Sequence, residues 1–219
     1  MGEVECLRLG KDVGIDLGTS SVLVFVSGKG IVLHEPSIIS IHRDSKEVLA
    51  VGEEAKRMVG RTPGNIVTVR PLMQGVITDI EVTETMLRYF LRKSVGSMMI
   101  AKPRVLLCVP SAVTSVERRA VLQAGIAAGA GSVYLIEEPL AAALGAGLNI
   151  KRPRGHMIVD IGGGTTDIAV LSLNDIVTGA TTRVGGNAFD DQIVKYIRRA
   201  HRLLIGESTA EDVKIAIGS

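Results

Sequence analysis

Two short segments of this 219-residue chain carry the same set of reactive side chains. One is Val13-Gly14-Ile15-Asp16-Leu17-Gly18-Thr19-Ser20-Ser21, and the other is Ile158-Val159-Asp160-Ile161-Gly162-Gly163-Gly164-Thr165-Thr166. Each reads as a buried apolar strand ending in an aspartate, then a glycine-rich turn bearing hydroxyls, then a second β-rich run. Glycine lets such a hairpin turn tightly and bring backbone N–H groups up to an anion, which suits phosphate. A carboxylate at the strand end can hold magnesium, usually through water. An aspartate followed by glycine also occurs in plain turns, but its repetition implies two related halves with a polyphosphate clamped between them. The candidate phosphate contacts are then Gly18, Thr19, Ser20 and Ser21 on one wall and Gly162, Gly163, Gly164 and Thr165 on the other. Asp16 and Asp160 are the candidate magnesium holders.

Composition narrows the classes. With 46% hydrophobic residues, 3% aromatics and no Trp, the core must be aliphatic. The formal charge of +2 comes from interspersed acids and bases. There is neither a long basic run nor an aromatic platform for stacking bases, so no nucleic-acid partner is expected. Cys6 and Cys108 are too few for a disulfide framework or a zinc site, and Cys108, inside an apolar run, reads as a small buried hydrophobe. The four histidines show no ligand-like spacing. The N-terminus has no signal-peptide pattern and no apolar stretch is long enough to span a bilayer, so the expected compartment is the cytoplasm.

The elements that must position these residues alternate between strand and helix. Strands are expected at Val13 to Leu17, Val22 to Val26 and Ile31 to Leu33, then at Ser37 to Ile41 and Val48 to Val51 in a small inserted unit. A short helix from Glu53 is ended by Gly60. Apolar spacing predicts a helix over Val82 to Val95, with Val82, Met86, Phe90 and Leu91 near one face. After the strand Val105 to Val109, Thr114-Ser115-Val116-Glu117 is a capping box opening a helix that Gly129 ends. Strand Val133 to Ile136 leads to a helix with Pro139 in its first turn. The second hairpin continues through Ile168 to Leu171 and Ile176 to Thr178. A helix follows from about Asn187 to Leu203, and Ser208-Thr209-Ala210-Glu211 is expected to open a last one. The order is that of an α/β fold.

These residues resemble the actin, sugar-kinase and seventy-kilodalton chaperone superfamily. The matching motifs are Asp16-Leu17-Gly18-Thr19, Asp160-Ile161-Gly162-Gly163-Gly164-Thr165 and the connecting Glu137-Glu138-Pro139-Leu140-Ala141-Ala142-Ala143. Within it the chain is most similar to the MreB family of bacterial actins, through Gly28-Lys29-Gly30-Ile31-Val32, Arg70-Pro71, Lys102-Pro103-Arg104-Val105, Val116-Glu117-Arg118-Arg119-Ala120 and Gly206-Glu207-Ser208-Thr209-Ala210-Glu211. The resemblance implies an actin-like ATPase fold, with duplicated ribonuclease H-like mixed sheets flanked by helices. The first domain would be residues 1–152, with a small inserted subdomain at about 40–72. Residues 153–219 would be a partial second domain, because such chains continue well beyond this point; the second half is expected to be incomplete. One departure is Ser21, where the family commonly has asparagine.

The resemblance further implies ATP with Mg2+ in the cleft and slow hydrolysis coupled to polymerisation, weakened where the missing segments contact adenine. Glu138, at a strand-to-helix junction between the hairpins, would orient the attacking water with Thr165, or would only complement the helix dipole. Glu211 and Lys214 resemble a nucleoside-contacting pair, or form an ordinary exposed ion pair. Met98, Met99 and Ile100 form an apolar loop tip that would insert into the inner face of the cell membrane, or fold back on the core. The expected partners are further copies in protofilaments, the membrane and cell-wall elongation proteins, with maintenance of rod shape as the role. A chaperone ATPase and a small-molecule kinase share the same clamp, but need respectively a downstream peptide-binding domain and a sugar pocket with its own aspartate base.

Overall fold

The computed structural model describes residues 10–96 and 101–218. The first half opens with β1 (Asp12–Leu17), β2 (Ser21–Val26) and β3 (Gly30–Pro36), an antiparallel meander. A small unit follows: β4 (Ile39–His42), β5 (Val48–Val51), α1 (Glu53–Met58) and β6 (Ile66–Val69), its three strands in the order β5-β4-β6. The chain returns through a two-stranded hairpin, β7 (Leu72–Met73) and β8 (Val76–Ile77). It then enters α2 (Ile80–Val95), β9 (Arg104–Val109), α3 (Ser115–Ala127), β10 (Ser132–Glu137) and α4 (Glu138–Gly145). β9 and β10 add in parallel to β1, giving a five-stranded sheet in the order β10-β9-β1-β2-β3.

The second half has β11 (His156–Ile161), β12 (Thr166–Ser172) and β13 (Asp175–Thr182) as an antiparallel sheet, then α5 (Gly186–His201) and α6 (Glu207–Ile217) packed on each other. Antiparallel strands are joined by tight turns and parallel ones by helical crossovers, which accounts for where the helices fall.

Local chemistry fixes the helix ends. Asp79 caps α2 by accepting from the Val82 N–H at 3.0 Å, and the helix stops at Gly96, whose φ is +89°. The capping box of α3 is complete: Thr114 and Glu117 bond each other's backbone N–H groups. α6 differs from the expected start. Its cap is Gly206 with no side-chain bond, so Ser208 already lies in the first turn, where helical backbone removes it from capping geometry. β6 and the β7–β8 pair have no counterpart in the expected elements.

The main core lies between the first sheet and α2 and α3, where Ile15, Val22, Val24, Met86, Leu87, Phe90 and Leu107 are fully buried. A second, smaller core joins Ala143, Ile150 and Leu171 beneath the other sheet. Among the described residues no helix is long and apolar enough to cross a membrane. Met98, Met99, Ile100 and Cys6 lie outside the described residues.

Candidate functional site

The two hairpins close with the same bond. The Gly18 N–H donates to the Ser21 carbonyl at 3.1 Å, and the Gly162 N–H donates to the Thr165 carbonyl at 2.9 Å. Counting from each aspartate, these are equivalent positions, so the internal duplication is a matter of geometry as well as sequence.

The tips meet. A β-carbon on Gly163 would lie 1.9 Å from Ser20 Oγ, and one on Gly164 would lie 2.6 Å from Thr19 Oγ1. Only glycine permits this approach. Their hydroxyls have protein partners: Ser20 donates to Asn187 Oδ1 at 2.9 Å, and Thr19 accepts from the Gly75 N–H at 3.1 Å. A phosphate oxygen only accepts, so Thr19 still has its O–H to offer, whereas Ser20 must leave Asn187 to donate. Asn187, in the first turn of α5, also donates its own N–H to the Gly163 carbonyl at 2.9 Å. It was not expected as a site residue, since nothing in an isolated Gly-Gly-Asn marks it.

Gly75 comes from the β7–β8 turn, where Gln74 and Gly75 both have positive φ, the backbone of a type I′ hairpin. The turn tucks beneath Thr165, which is buried.

Behind the tips the acids gather. Asp16 is exposed by surface area yet lies on a concave wall crowded by protein, and this desolvation, reinforced by the charge of Asp160, raises its pKa. Asp160 is also raised, by burial and by Asp167. Glu138, at the start of α4, is pushed up to about 8, by burial first and then by Asp16, Asp167 and Asp160. Cys108 is half-buried on the same side of the first sheet, not a core residue, and the same burial and neighbouring acids push its thiol up to about 12. That thiol is no nucleophile near neutrality. Asp16, Asp167 and Asp160 all oppose ionisation of Glu138, so the four carboxyls lie within electrostatic reach of one another.

Among the described residues, no three His, Cys, Asp or Glu side chains stand close enough to ligate a metal directly. Acids that disfavour one another's ionised form at this range suit a hydrated divalent cation, which keeps its waters and is bound through few carboxylates. The residues present therefore fit magnesium held through water.

Asp167 is the acid that the sequence reading missed. It stands directly across the strand pair from Asp160, so both lie on one face of the sheet. It is 1% exposed, and its Oδ1 accepts from the Ser111 N–H at 3.0 Å and from the Thr181 hydroxyl at 2.7 Å. The signal lay in the alternation of β12, which puts Asp167 on the inward face with Ala169 and Leu171.

Glu211 and Lys214 do not pair with each other. Lys214 Nζ donates to Asp190 Oδ2 at 2.9 Å and to the Gly186 carbonyl at 3.2 Å, tying α6 to α5. Glu211 instead faces Lys56 of α1 at 3.7 Å.

Residues 10–219 match the family described as MreB/Mbl protein. The chain belongs to that family. It is 56% identical over 209 residues to the cell shape-determining protein Mbl of Bacillus subtilis strain 168. It is 53% identical over 213 residues to the cell shape-determining protein MreB of Escherichia coli K12. These alignments cover 95% of this chain but 63% and 61% of those proteins, so the chain spans under two thirds of the length of these curated relatives. Among solved structures, MreB5 of Spiroplasma citri bound to ADP superposes with a TM-score of 0.89 at 45% identity, over 96% of this chain and 63% of that one. The same protein has also been solved bound to AMPPNP. A MamK double helical filament superposes at 0.78 with 24% identity, over 93% of this chain and 64% of that one, a likeness of fold. The fold of this MreB/Mbl chain is thus actin-like.

Proposed function

We propose that this chain forms the nucleotide-gripping core of a filament-forming bacterial actin that binds ATP with magnesium and hydrolyses it slowly. The observation that carries the reading is the face-to-face contact of two equivalent glycine hairpins in front of a shared group of acids. Gly18, Thr19, Ser20 and Ser21 hold the terminal phosphates from one wall, and Gly162, Gly163, Gly164 and Thr165 hold them from the other. Asp16 and Asp160 would hold magnesium through its waters, where the ion would offset charge on the transferring phosphoryl group. Glu138, at the start of α4, orients the attacking water together with Thr165. Glu211 and Lys214 lie on the helix assigned to nucleoside contact, and both must exchange their present partners to reach a ligand.

The Spiroplasma relative's ADP and AMPPNP support the choice of nucleotide. Relatives named as cell shape-determining support a role in cell shape, which the proposal extends to assembly into protofilaments and to organising cell-wall synthesis with elongation proteins. Docking on the inner face of the cytoplasmic membrane through Met98, Met99 and Ile100 completes the proposal. Burial of three such side chains yields at most about 5 kcal/mol, so stable attachment needs the many copies of a filament.

Two measurements test the reading. Calorimetry with ATP and magnesium should give saturable binding that Asp16→Ala weakens, and sedimentation with ATP, magnesium and anionic liposomes should pellet the chain. Failure to bind nucleotide overturns the proposal; hexose-stimulated ADP release would move it to a kinase.

A further inference from the structure

The glycine turns are joined across the two halves by one side-chain hydrogen bond. Ser20, in the first turn, donates its hydroxyl to Asn187 Oδ1, at the start of α5, at 2.9 Å. Among the described residues, no other side chain of either turn bonds to the opposite half; Thr19, the neighbour of Ser20, accepts from Gly75 of its own half. Both ends of the bond are anchored through their backbones. The Ser20 carbonyl accepts from the Ser37 N–H, between β3 and β4, at 3.0 Å. The Asn187 N–H donates to the Gly163 carbonyl at 2.9 Å and the Gly186 N–H to the Gly162 carbonyl at 3.0 Å, so the start of α5 is clipped to the second turn. Ser20 also lies hard against Gly163, where a β-carbon would stand 1.9 Å from its Oγ.

With both backbones held, the hydroxyl hydrogen is the part that can turn. A serine hydroxyl has one hydrogen to give. Given to Asn187, it leaves only lone pairs for any other neighbour, and a phosphate oxygen, itself an acceptor, gains nothing from those. Given to phosphate, it leaves Asn187. The two uses exclude each other. Asn187 is only partly buried, so solvent can take the vacated place at its Oδ1 and the exchange strands no polar group in the interior.

We propose that Asn187 is a positioning residue of the nucleotide site that acts through Ser20: it engages the Ser20 hydroxyl in the empty protein and so lowers the affinity for ATP. The inference rests on the reading of the chain as an ATP-binding protein. Binding of the terminal phosphates then exchanges a bond between the halves for a bond to the ligand. A ligand shifts such an equilibrium only by its differential affinity for the two states, and here that difference is one hydrogen bond.

The test is a double-mutant cycle on ATP affinity, measured by calorimetry with magnesium on the full chain. Asn187→Ala removes the competing acceptor and should tighten ATP binding by about twofold to tenfold, the range set by one neutral hydrogen bond. In protein that also carries Ser20→Ala, the same substitution should change the affinity by less than about twofold, because no hydroxyl is left to release. Melting of the ligand-free protein accompanies each measurement. Asn187→Ala should lower the melting temperature slightly while tightening ATP, a combination that a purely structural role for Asn187 does not produce. Asn187→Asp works in the opposite direction: it keeps the acceptor, makes the bond charge-assisted and repels phosphate. Its loss of affinity should be several-fold greater with Ser20 intact than with Ser20→Ala, where only the repulsion remains.

Unchanged or weaker ATP binding in Asn187→Ala overturns the inference, and so does an equal change with and without Ser20→Ala. Should Asn187→Ala fail to fold, the Asn187→Asp comparison decides, and equal losses in its two backgrounds overturn the inference. If the unaltered chain binds no ATP, the functional reading itself fails and this inference with it; normal ATP binding with an indifferent Asn187 removes this inference alone.

Discussion

The two glycine hairpins are alike in path and unlike in setting. In the first, Asp16 lies across from Leu23, and the strands bury Val13, Ile15, Leu17, Val22, Val24 and Val26 against a deep core. In the second, Asp160 lies across from Asp167, and on the outer face of the strands Met157, Val159 and Ile161 stay more than half exposed. The first wall belongs to a five-stranded sheet and has one acid of its strand pair beside the turn; the second belongs to a three-stranded sheet and has two. Like charges directly opposed across strands are destabilising, so the second hairpin sacrifices local stability for concentrated negative charge facing the cleft. Duplication supplied two equal scaffolds, and the chemistry became lopsided.

The largest expected effect comes from the acid between the two walls. Glu138→Gln should slow hydrolysis by about 10²–10⁴-fold while ATP still binds. The same variant reports on the ligand-free protein. Because the Glu138 carboxyl is pushed up from 4.5 to about 8, its ionised form is tolerated worse folded than unfolded. The stability that its neutral form contributes is full below about 4.5 and is lost as pH rises through about 8. Asp16 and Asp160, raised in the same direction, act with the same sign. Melting of the unaltered protein should therefore rise as pH falls from 8 towards 5, and Glu138→Gln should flatten that slope. An identical slope in both would mean that Glu138 does not face the other acids.

The contact between the tips ranks next. Gly164→Ala should cost about 1–3 kcal/mol by driving a methyl into Thr19, as overpacking of close contacts does. Gly162→Ala meets only its own turn, at 3.4 Å, and should cost less. Chemical denaturation of the two variants decides whether the walls touch as described; equal costs would separate them.

How legible this was depends on range. Period-two and period-3.6 apolar patterns placed the strands of both hairpins and α2, because one buried face dictates each. The capping box at Thr114 is a purely local device, and it fixed the start of α3. The two-residue strands β7 and β8 carry almost no pattern, yet their Gln74-Gly75 turn delivers the N–H that holds Thr19. Asn187 and Asp167 act over separations of 167 and 56 residues in the chain, which no local periodicity encodes. The pairing of Lys214 with Asp190 escaped notice for the same reason. Spacing along α6 suggested Glu211 as its neighbour, whereas the fold brings α5 closer.

Moving the asymmetry from one wall to the other is a sharper comparison. Leu23→Asp puts a second carboxylate opposite Asp16, reproducing on the first hairpin what Asp167 does on the second. It should destabilise the ligand-free chain by about 1 kcal/mol near neutral pH, the upper end for an unfavourable cross-strand pair, and less at pH 4, where the acids protonate. Equal destabilisation at both values would make the loss one of packing and not of charge.

The smallest effects lie at the mouth of the cleft, where the inserted unit faces α6. Lys56 meets Glu211 at 3.7 Å and Arg70 meets Glu207 at 3.1 Å, with bases on the first half and acids on the second. All four side chains are substantially exposed, so each pair should contribute only about 0.2–1 kcal/mol and weaken with salt. Unlike the tip contact, this closure is electrostatic and adjustable. Reversing both bases, Lys56→Glu with Arg70→Glu, should speed release of a fluorescent ATP analogue a few-fold at low ionic strength and have little effect at 0.5 M salt. Adding Glu207→Lys and Glu211→Arg restores opposite signs across the gap and should return the rate towards its original value. If the fourfold exchange releases nucleotide as fast as the double reversal, the pairs do not set the opening of the halves, and the hairpin tips alone hold them together.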